Sequence, residues 1–249
     1  MTDVFRIDLP VGAATISCLM HLPGRVPAPV VVCCHGLLSH KNSAKFAAIG
    51  ECLPDEGFAV VRFDFSGCGE SGHRPGPLLD ARLTDLRGVL DFVLEQPWAD
   101  GTIGLIGSSM GGYLALICAG LQAYPIKAAV CWATPFALYE VQASLQSSEP
   151  ARQKLGGFEG FGSPMSLSDL RPITGLMVVH GQQDETVPWE DAIRIYEKLG
   201  EPKRLLLLEH GDHRLTDPIC RKVAIDASVD WLRERGLFPS QRDETLPRD

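Results

Sequence analysis

Residues 105–120 read LIGSSMGGYLALICAG. A short apolar run ends in Gly107, two serines follow, then Gly111 and Gly112, and a helix-like apolar pattern completes the stretch. The spacing Gly107-x-Ser109-x-Gly111 is that of a nucleophile carried on a tight turn between a strand and a helix. Five letters decide little alone, because a chain of this glycine and serine content yields about 0.15 such matches by chance. The surroundings have to decide.

On either side, strand-like and helix-like patterns alternate. PVVVCCHG (29–36), FAVVRFDF (58–65), TIGLIG (102–107), IKAAVCWAT (126–134), GLMVVHG (175–181) and KRLLLLE (203–209) are short, nearly continuous apolar runs. Such runs fit strands buried on both faces of a parallel sheet. Between them lie helical patterns. In residues 78–96, Leu79, Leu83, Leu86, Leu90 and Val93 fall on one face. Gly57, Gly200 and Gly236 stand where three of the helices should stop. Two N-terminal strands flank Val11-Gly12. The alternation predicts an α/β fold with an open, mostly parallel, doubly wound sheet. One segment breaks the rhythm. Residues 135–172 mix helical fragments with Gly, Ser and Pro and are too long for a simple connection, so they read as a small cap or lid. The polar tail 239–249 reads as loosely ordered. No internal repeat is visible, and a single domain spanning 1–249 is expected.

Composition narrows the function classes. A 249-residue chain with 45% hydrophobic residues can bury a large core. Its net charge is −8 and it has no dense Lys/Arg block, which argues against nucleic acid and against a basic membrane-binding surface. No run reaches the roughly 18 apolar residues of a membrane span. The N-terminal residues lack the basic-then-apolar pattern of a signal peptide. The eight cysteines include no C-x-x-C pair, and Cys18, Cys33, Cys118 and Cys131 sit inside apolar runs as small buried hydrophobes. Free thiols without a secretory signal point to a reducing cytoplasm.

Ser109 falls at the carboxyl end of a strand, where open parallel sheets place their reactive groups. Glycines two positions to either side let the backbone pass close to the turn. Ser108 occupies a spacer position and is expected to pack or cap. A serine hydroxyl needs a base to take its proton, and this strand–turn–helix arrangement calls for the chain order serine, acid, histidine. Asp184 lies in the loop after GLMVVHG, and His213 lies in HGDHRL, just past the strand KRLLLLE. His210, nearer the strand, is expected to bond locally. The backbone N–H groups of Met110 and Leu37 are the candidate donors to an oxyanion. His35 should shape the Leu37 loop.

Two other patterns carry less. Gly67–Gly72, GCGESG, matches G-x-G-x-x-G after a strand, but HRPGPLL follows. With two prolines and a glycine there, no helix can open on the last glycine to hold a pyrophosphate. The segment is expected to be a flexible loop lining the site. His210-x-x-His213 lacks the further ligands of a metal site, so neither a metal nor a cofactor is expected.

The elements HGLLSHK, RFDFSGCGESG, GSSMGG, HGQQDETVP and GDHRL together resemble the α/β-hydrolase superfamily across nearly the whole chain. Within it, HGLLSHKNS and VVRFDFSGCGESG are most similar to small serine esterases of the cinnamoyl/feruloyl type. They also resemble serine aminopeptidase-like and monoacylglycerol-lipase-like hydrolases. The resemblance implies a triad of Ser109, Asp184 and His213, with Leu37 and Met110 forming the oxyanion hole. A serine rather than an aspartate at 109 departs from the dehalogenases and epoxide hydrolases of the same fold. The implied reaction is hydrolysis of small to medium carboxylic esters through an acyl-enzyme. An amide or thioester hydrolase on the same triad is the nearest alternative, and a non-catalytic binding protein a more distant one. Phe136, Leu138, Tyr139, Phe158, Phe161 and Met165 are the apolar cap residues available to line an acyl or aryl pocket. Arg152 and Lys154 read as solvated surface. The expected partner is a small ester. The oligomeric state stays open, a homodimer through a sheet edge or the cap being one compatible arrangement.

Overall fold

The computed structural model describes residues 3–138, 158–160, 162 and 173–237. Most of the expected cap and the whole expected tail lie outside these residues, as do Arg152 and Lys154. The strands are β1 (Asp3–Val11), β2 (Ala14–Leu22), β3 (Ala28–Cys34), β4 (Ala59–Phe63), β5 (Ala99–Ser108), β6 (Ile126–Trp132), β7 (Leu176–Gly181) and β8 (Lys203–Leu208). They form one sheet in the order β1-β2-β4-β3-β5-β6-β7-β8. β1 and β2 form an antiparallel pair, β2 runs antiparallel to β4, and β3 to β8 are parallel.

Side-chain alternation along the parallel strands explains why they read as continuous apolar runs. Val30, Val32 and Cys34 of β3 join one apolar cluster, and Val31 and Cys33 join the other. Leu176 and Val178 of β7 separate from Met177 and Val179 in the same way. Both faces are covered, so neither alternating set can be polar. The helices α2 (Leu78–Leu94), α3 (Met110–Gly120) and α4 (Glu190–Lys198) pack on the first face through Leu86, Leu114 and Ile195. The helices α1 (Ala44–Cys52) and α5 (Pro218–Glu234) pack on the second through Phe46, Ile49 and Val229. This is the doubly wound sheet that the alternation predicts.

The helix ends follow local chemistry. Asp217 caps α5, its carboxylate accepting from the Ile219 and Cys220 N–H groups, and Pro218 fills the first helical position. α1 passes into a short 3-10 turn that stops at Gly57, which adopts a left-handed conformation. The exposed edge strand β1 carries Arg6, paired with Asp8 and with Glu70 from a distant loop. Charges of this kind discourage edge-to-edge pairing. Among the described residues, no helix is long and apolar enough to cross a membrane. All eight cysteines are unbridged, and Cys18, Cys33, Cys118 and Cys131 are buried.

Candidate active site

The loops that follow β3, β4, β5, β7 and β8 leave the sheet at one end, the carboxyl end of its parallel strands. Ser109 is the single residue between β5 and α3 and takes φ 55°, ψ −124°. A non-glycine residue at positive φ is strained by about 1–3 kcal/mol and persists only where its neighbours hold it. Here its N–H donates to the Trp132 carbonyl at 2.8 Å, and its carbonyl accepts from the Tyr113 N–H at 3.1 Å.

The flanking glycines are required by close approach. A methyl at Gly111 would run into the Cys34 backbone carbonyl, and one at Gly107 into the Gly111 carbonyl. Backbone presses on backbone at both sites, so no side chain can yield. Gly111→Ala should therefore remove about 3 kcal/mol of stability or leave the protein unfolded. Urea midpoints of the variant and wild type check this, and equal midpoints would contradict the packing described.

Gly36 lies against the turn, where an added Cβ would be 3.3 Å from Ser109 Cβ. This brings the Leu37 loop beside Ser109. Among the described residues, neither the Leu37 nor the Met110 N–H has a hydrogen-bond acceptor. Met110 opens α3, whose first-turn N–H groups have no carbonyl within the helix. His35 holds the loop from below. Its Nε2 accepts from the Phe65 N–H at 3.0 Å, so Nδ1 carries the proton and donates to the Gly36 carbonyl at 2.7 Å. Burial, followed by the charge of Arg82, pushes its pKa down to about 3. The ring is neutral and structural, as the sequence reading expects.

Asp184 and His213 meet although 29 residues separate them, with His213 Nδ1 2.8 Å from Asp184 Oδ2 and 3.0 Å from Oδ1. An ionised carboxylate only accepts, so Nδ1 bears the proton and Nε2 is left as the basic nitrogen. Asp184 Oδ1 also accepts from the Thr186 and Val187 N–H groups, each at 2.8 Å. Burial alone would raise the Asp184 pKa. Hydrogen bonds from His180, His213 and the Val187 amide outweigh it and hold the carboxyl well below the usual carboxylate range.

Several neighbours escape the sequence reading. His180, fully buried in β7, places Nε2 3.1 Å from both Asp184 Oδ2 and the Val187 carbonyl, so Asp184 is gripped by two imidazoles. The buried Arg82 of α2 donates from Nη2 to the Leu37 carbonyl at 3.1 Å and to Cys68 Sγ at 3.2 Å. Its Nη1 lies 3.7 Å from Met110 Sδ, so one guanidinium touches both residues that carry the free N–H groups. A signal for Arg82 was available. It stands three residues after Leu79 and four before Leu86, on the apolar face of its helix. Lys45 Nζ donates to Ser108 Oγ at 2.8 Å and to the His213 carbonyl at 3.2 Å. Ser108 is thus neither simple packing nor a cap. His210 does not bond locally as expected: its Nδ1 lies 3.4 Å from Gln183 Nε2, 27 residues away on the loop after β7.

The GCGESG loop opens no helix, since α2 begins only at Leu78. It is not the loose loop expected from its glycines. It closes around the buried carboxylate of Asp64, which accepts from the Glu70 N–H at 3.0 Å and pairs with Lys41 Nζ at 2.5 Å. Gly69, at φ 50°, lies directly over that carboxylate, where any Cβ would collide with it. Backbone donors of the loop are already satisfied within the protein: the Glu70 N–H by the Asp64 carboxylate, and the Gly67, Cys68, Ser71 and Gly72 N–H groups by backbone carbonyls.

Of the six expected pocket residues, Tyr139, Phe161 and Met165 lie outside the described residues. Phe158 sits on the GCGESG loop, its ring 4.8 Å from that of His73 in an edge-on contact. The Leu138 side chain is buried in the same apolar cluster as Leu37 and Met110. Phe136 faces α4: its N–H donates to Asp191 at 2.9 Å, and the Arg194 guanidinium lies 4.1 Å from its ring centre.

The chain resembles proteins of known fold over almost its whole length. The mouse mitochondrial palmitoyl-protein thioesterase ABHD10 is 28% identical over 222 residues, covering 79% of this chain and 72% of that protein. Est1E from Butyrivibrio proteoclasticus, solved with ferulic acid bound, superposes with a TM-score of 0.74 at 17% identity, over 92% of this chain and 98% of that one. The Pyrococcus furiosus esterase Pf2001 superposes with a TM-score of 0.78 at 20% identity, over 94% and 91%. At these identities the two superpositions speak for the fold alone. Residues 29–153 match the family described as alpha/beta hydrolase fold. With that match on half of its length and the eight-stranded sheet around it, the chain belongs to the alpha/beta hydrolase family.

Proposed function

We propose that this protein is a serine hydrolase that cleaves small to medium carboxylic esters through an acyl-enzyme. The observation that carries the reading is the Asp184–His213 pair, 2.8 Å apart, whose His213 loop Lys45 ties to the residue before a strained Ser109. In this reading His213 Nε2 takes the Ser109 hydroxyl proton as Oγ attacks the ester carbonyl. The Leu37 and Met110 N–H groups bind the oxyanion. His213 then protonates the leaving alcohol. Water, deprotonated by the same imidazole, attacks the acyl-enzyme, and Ser109 regains its proton as the acid leaves. No step calls for a metal or a cofactor.

Phe136, Leu138, Phe158, Tyr139, Phe161 and Met165 are assigned to the acyl or aryl pocket, beneath a cap formed by 135–172 on a single domain. Unbridged cysteines support a reducing compartment, which we take to be the cytoplasm. The charge of −8 supports a small-molecule partner over nucleic acid.

A second reading, thioester hydrolysis, rests on the 28% identity to a protein named as a palmitoyl-protein thioesterase. The triad serves both leaving groups, and the pocket decides between them. Turnover of p-nitrophenyl esters from acetate to laurate, a hydroxycinnamate ester, and acyl thioesters of matched chain length separates the two. The ester reading expects kcat/KM to be highest on a short or aromatic ester. A clear preference for thioesters would replace it with the second reading.

A further inference from the structure

Lys45 is a nine-tenths-buried ammonium on α1, and among the described residues it forms no ion pair. Neutral oxygens hold it instead, Ser108 Oγ at 2.8 Å and the His213 carbonyl at 3.2 Å. A buried charge without a paired carboxylate is costly, and a methionine of similar length would fill the same space without that cost. The place it occupies accounts for its retention. Ser108 precedes Ser109 at the end of β5, and His213 follows β8. These two pieces come from strands that are not neighbours in the sheet. One nitrogen bonds both, so the Ser108 hydroxyl and the His213 carbonyl lie no farther apart than the sum of its two bonds.

We propose that Lys45 is a positioning residue for the serine hydrolase reaction, fixing the Ser109 turn and the His213 backbone in register through Ser108. The inference rests on the esterase reading above. Among the described residues, Lys45 Nζ hydrogen-bonds to the side chain of neither Ser109 nor His213. It acts on Ser109 through Ser108 and on the His213 ring through the backbone. The charged groups around it are Asp184 from the β7 loop and Asp212 and Arg214 from the β8 loop. Burial pushes its pKa down to about 8, and the two aspartates resist that fall. The ammonium therefore keeps its proton at neutral pH and can donate to both oxygens at once.

The bond network sets the expected signature. Misplacing a reacting pair by about an ångström costs on the order of 100-fold in rate without weakening substrate binding. Lys45→Met should lower kcat on the best p-nitrophenyl ester by about 10- to 100-fold and leave KM within about twofold. The rate at which a fluorophosphonate inactivates the enzyme should fall by the same factor, because that reaction also needs Ser109 aligned with its base. Ser108→Ala should show the same pattern more weakly. The double variant should be little worse than Lys45→Met, since both substitutions break one connection.

Wild type and Ser109→Ala are assayed first. Ester turnover that does not depend on Ser109 overturns the esterase reading and this inference with it. With Ser109-dependent turnover established, a folded Lys45→Met of wild-type kcat overturns the inference alone. So does a loss carried by KM, or full additivity with Ser108→Ala. If Lys45→Met does not fold, Ser108→Ala decides by itself. Unchanged kcat and phosphonate rate in that variant overturn the inference, and a parallel fall in both at constant KM supports it.

Discussion

Ser109→Ala is expected to lower kcat on the best ester by about four to six orders of magnitude while leaving the fold intact. The effect is large because the hydroxyl is the only group assigned to form the covalent intermediate, and nothing nearby substitutes for it. Ser108 Oγ is held by Lys45 at 2.8 Å. The activity that remains should come from substrate binding and from the Leu37 and Met110 N–H groups, which the substitution leaves in place. Stability should change little. The strained backbone is fixed by the Trp132 and Tyr113 hydrogen bonds and by the glycines around it, and alanine meets the same backbone as serine. Parallel kinetics and thermal melts check both parts. A folded variant that retains wild-type turnover contradicts the mechanism.

Asp184→Asn has the second largest expected effect, about 10⁴-fold in kcat. The carboxylate accepts from His213, His180 and two backbone N–H groups at once. An amide turns one of those acceptor oxygens into a donor, which forces a donor against a donor or flips the His213 tautomer so that Nε2 is no longer basic. The same substitution should be visible in stability against pH. The Asp184 carboxyl titrates below its unfolded value, near 3.9. Its contribution is therefore fully present above about pH 4 and is lost as the pH falls through the lower, folded value. Wild type should exceed Asp184→Asn in stability most clearly at pH 7, and the gap should narrow below about pH 4. Urea unfolding at pH 7 and pH 3.5 measures it. A gap that is constant or widens toward acid would show that the carboxylate is not held ionised by these partners.

What the sequence made legible follows from which residues carry their own constraint. β3 to β7 read as strands because burial on both faces leaves almost no polar positions. The Ser109 turn was legible because Gly107 and Gly111 are demanded by backbone contact, a requirement stated in the sequence itself. Asp184 and His213 followed from chain order and from their position after strands. Residues whose role exists only once distant segments meet were not legible. Lys45 looks like a charged residue at the start of a helix until β5 and β8 bring Ser108 and the His213 carbonyl to it. His180 looks like one more member of a buried strand until Asp184 folds back over it. The GCGESG loop misled for a related reason. Its glycines suggest freedom, whereas Asp64, four residues before Cys68, organises the loop around a buried charge. Lys45 and Arg82 share a signal that could have been weighed more heavily. Each is a cation four residues before an apolar core position on its helix, Ile49 and Leu86.

The most direct test of the central claim is mass-spectrometric mapping of the site labelled by a fluorophosphonate. One adduct per chain, located on Ser109 and formed at the rate at which ester turnover is lost, is the predicted result. Inactivation without an adduct on Ser109, or an enzyme that stays active with Ser109 fully labelled, would contradict it.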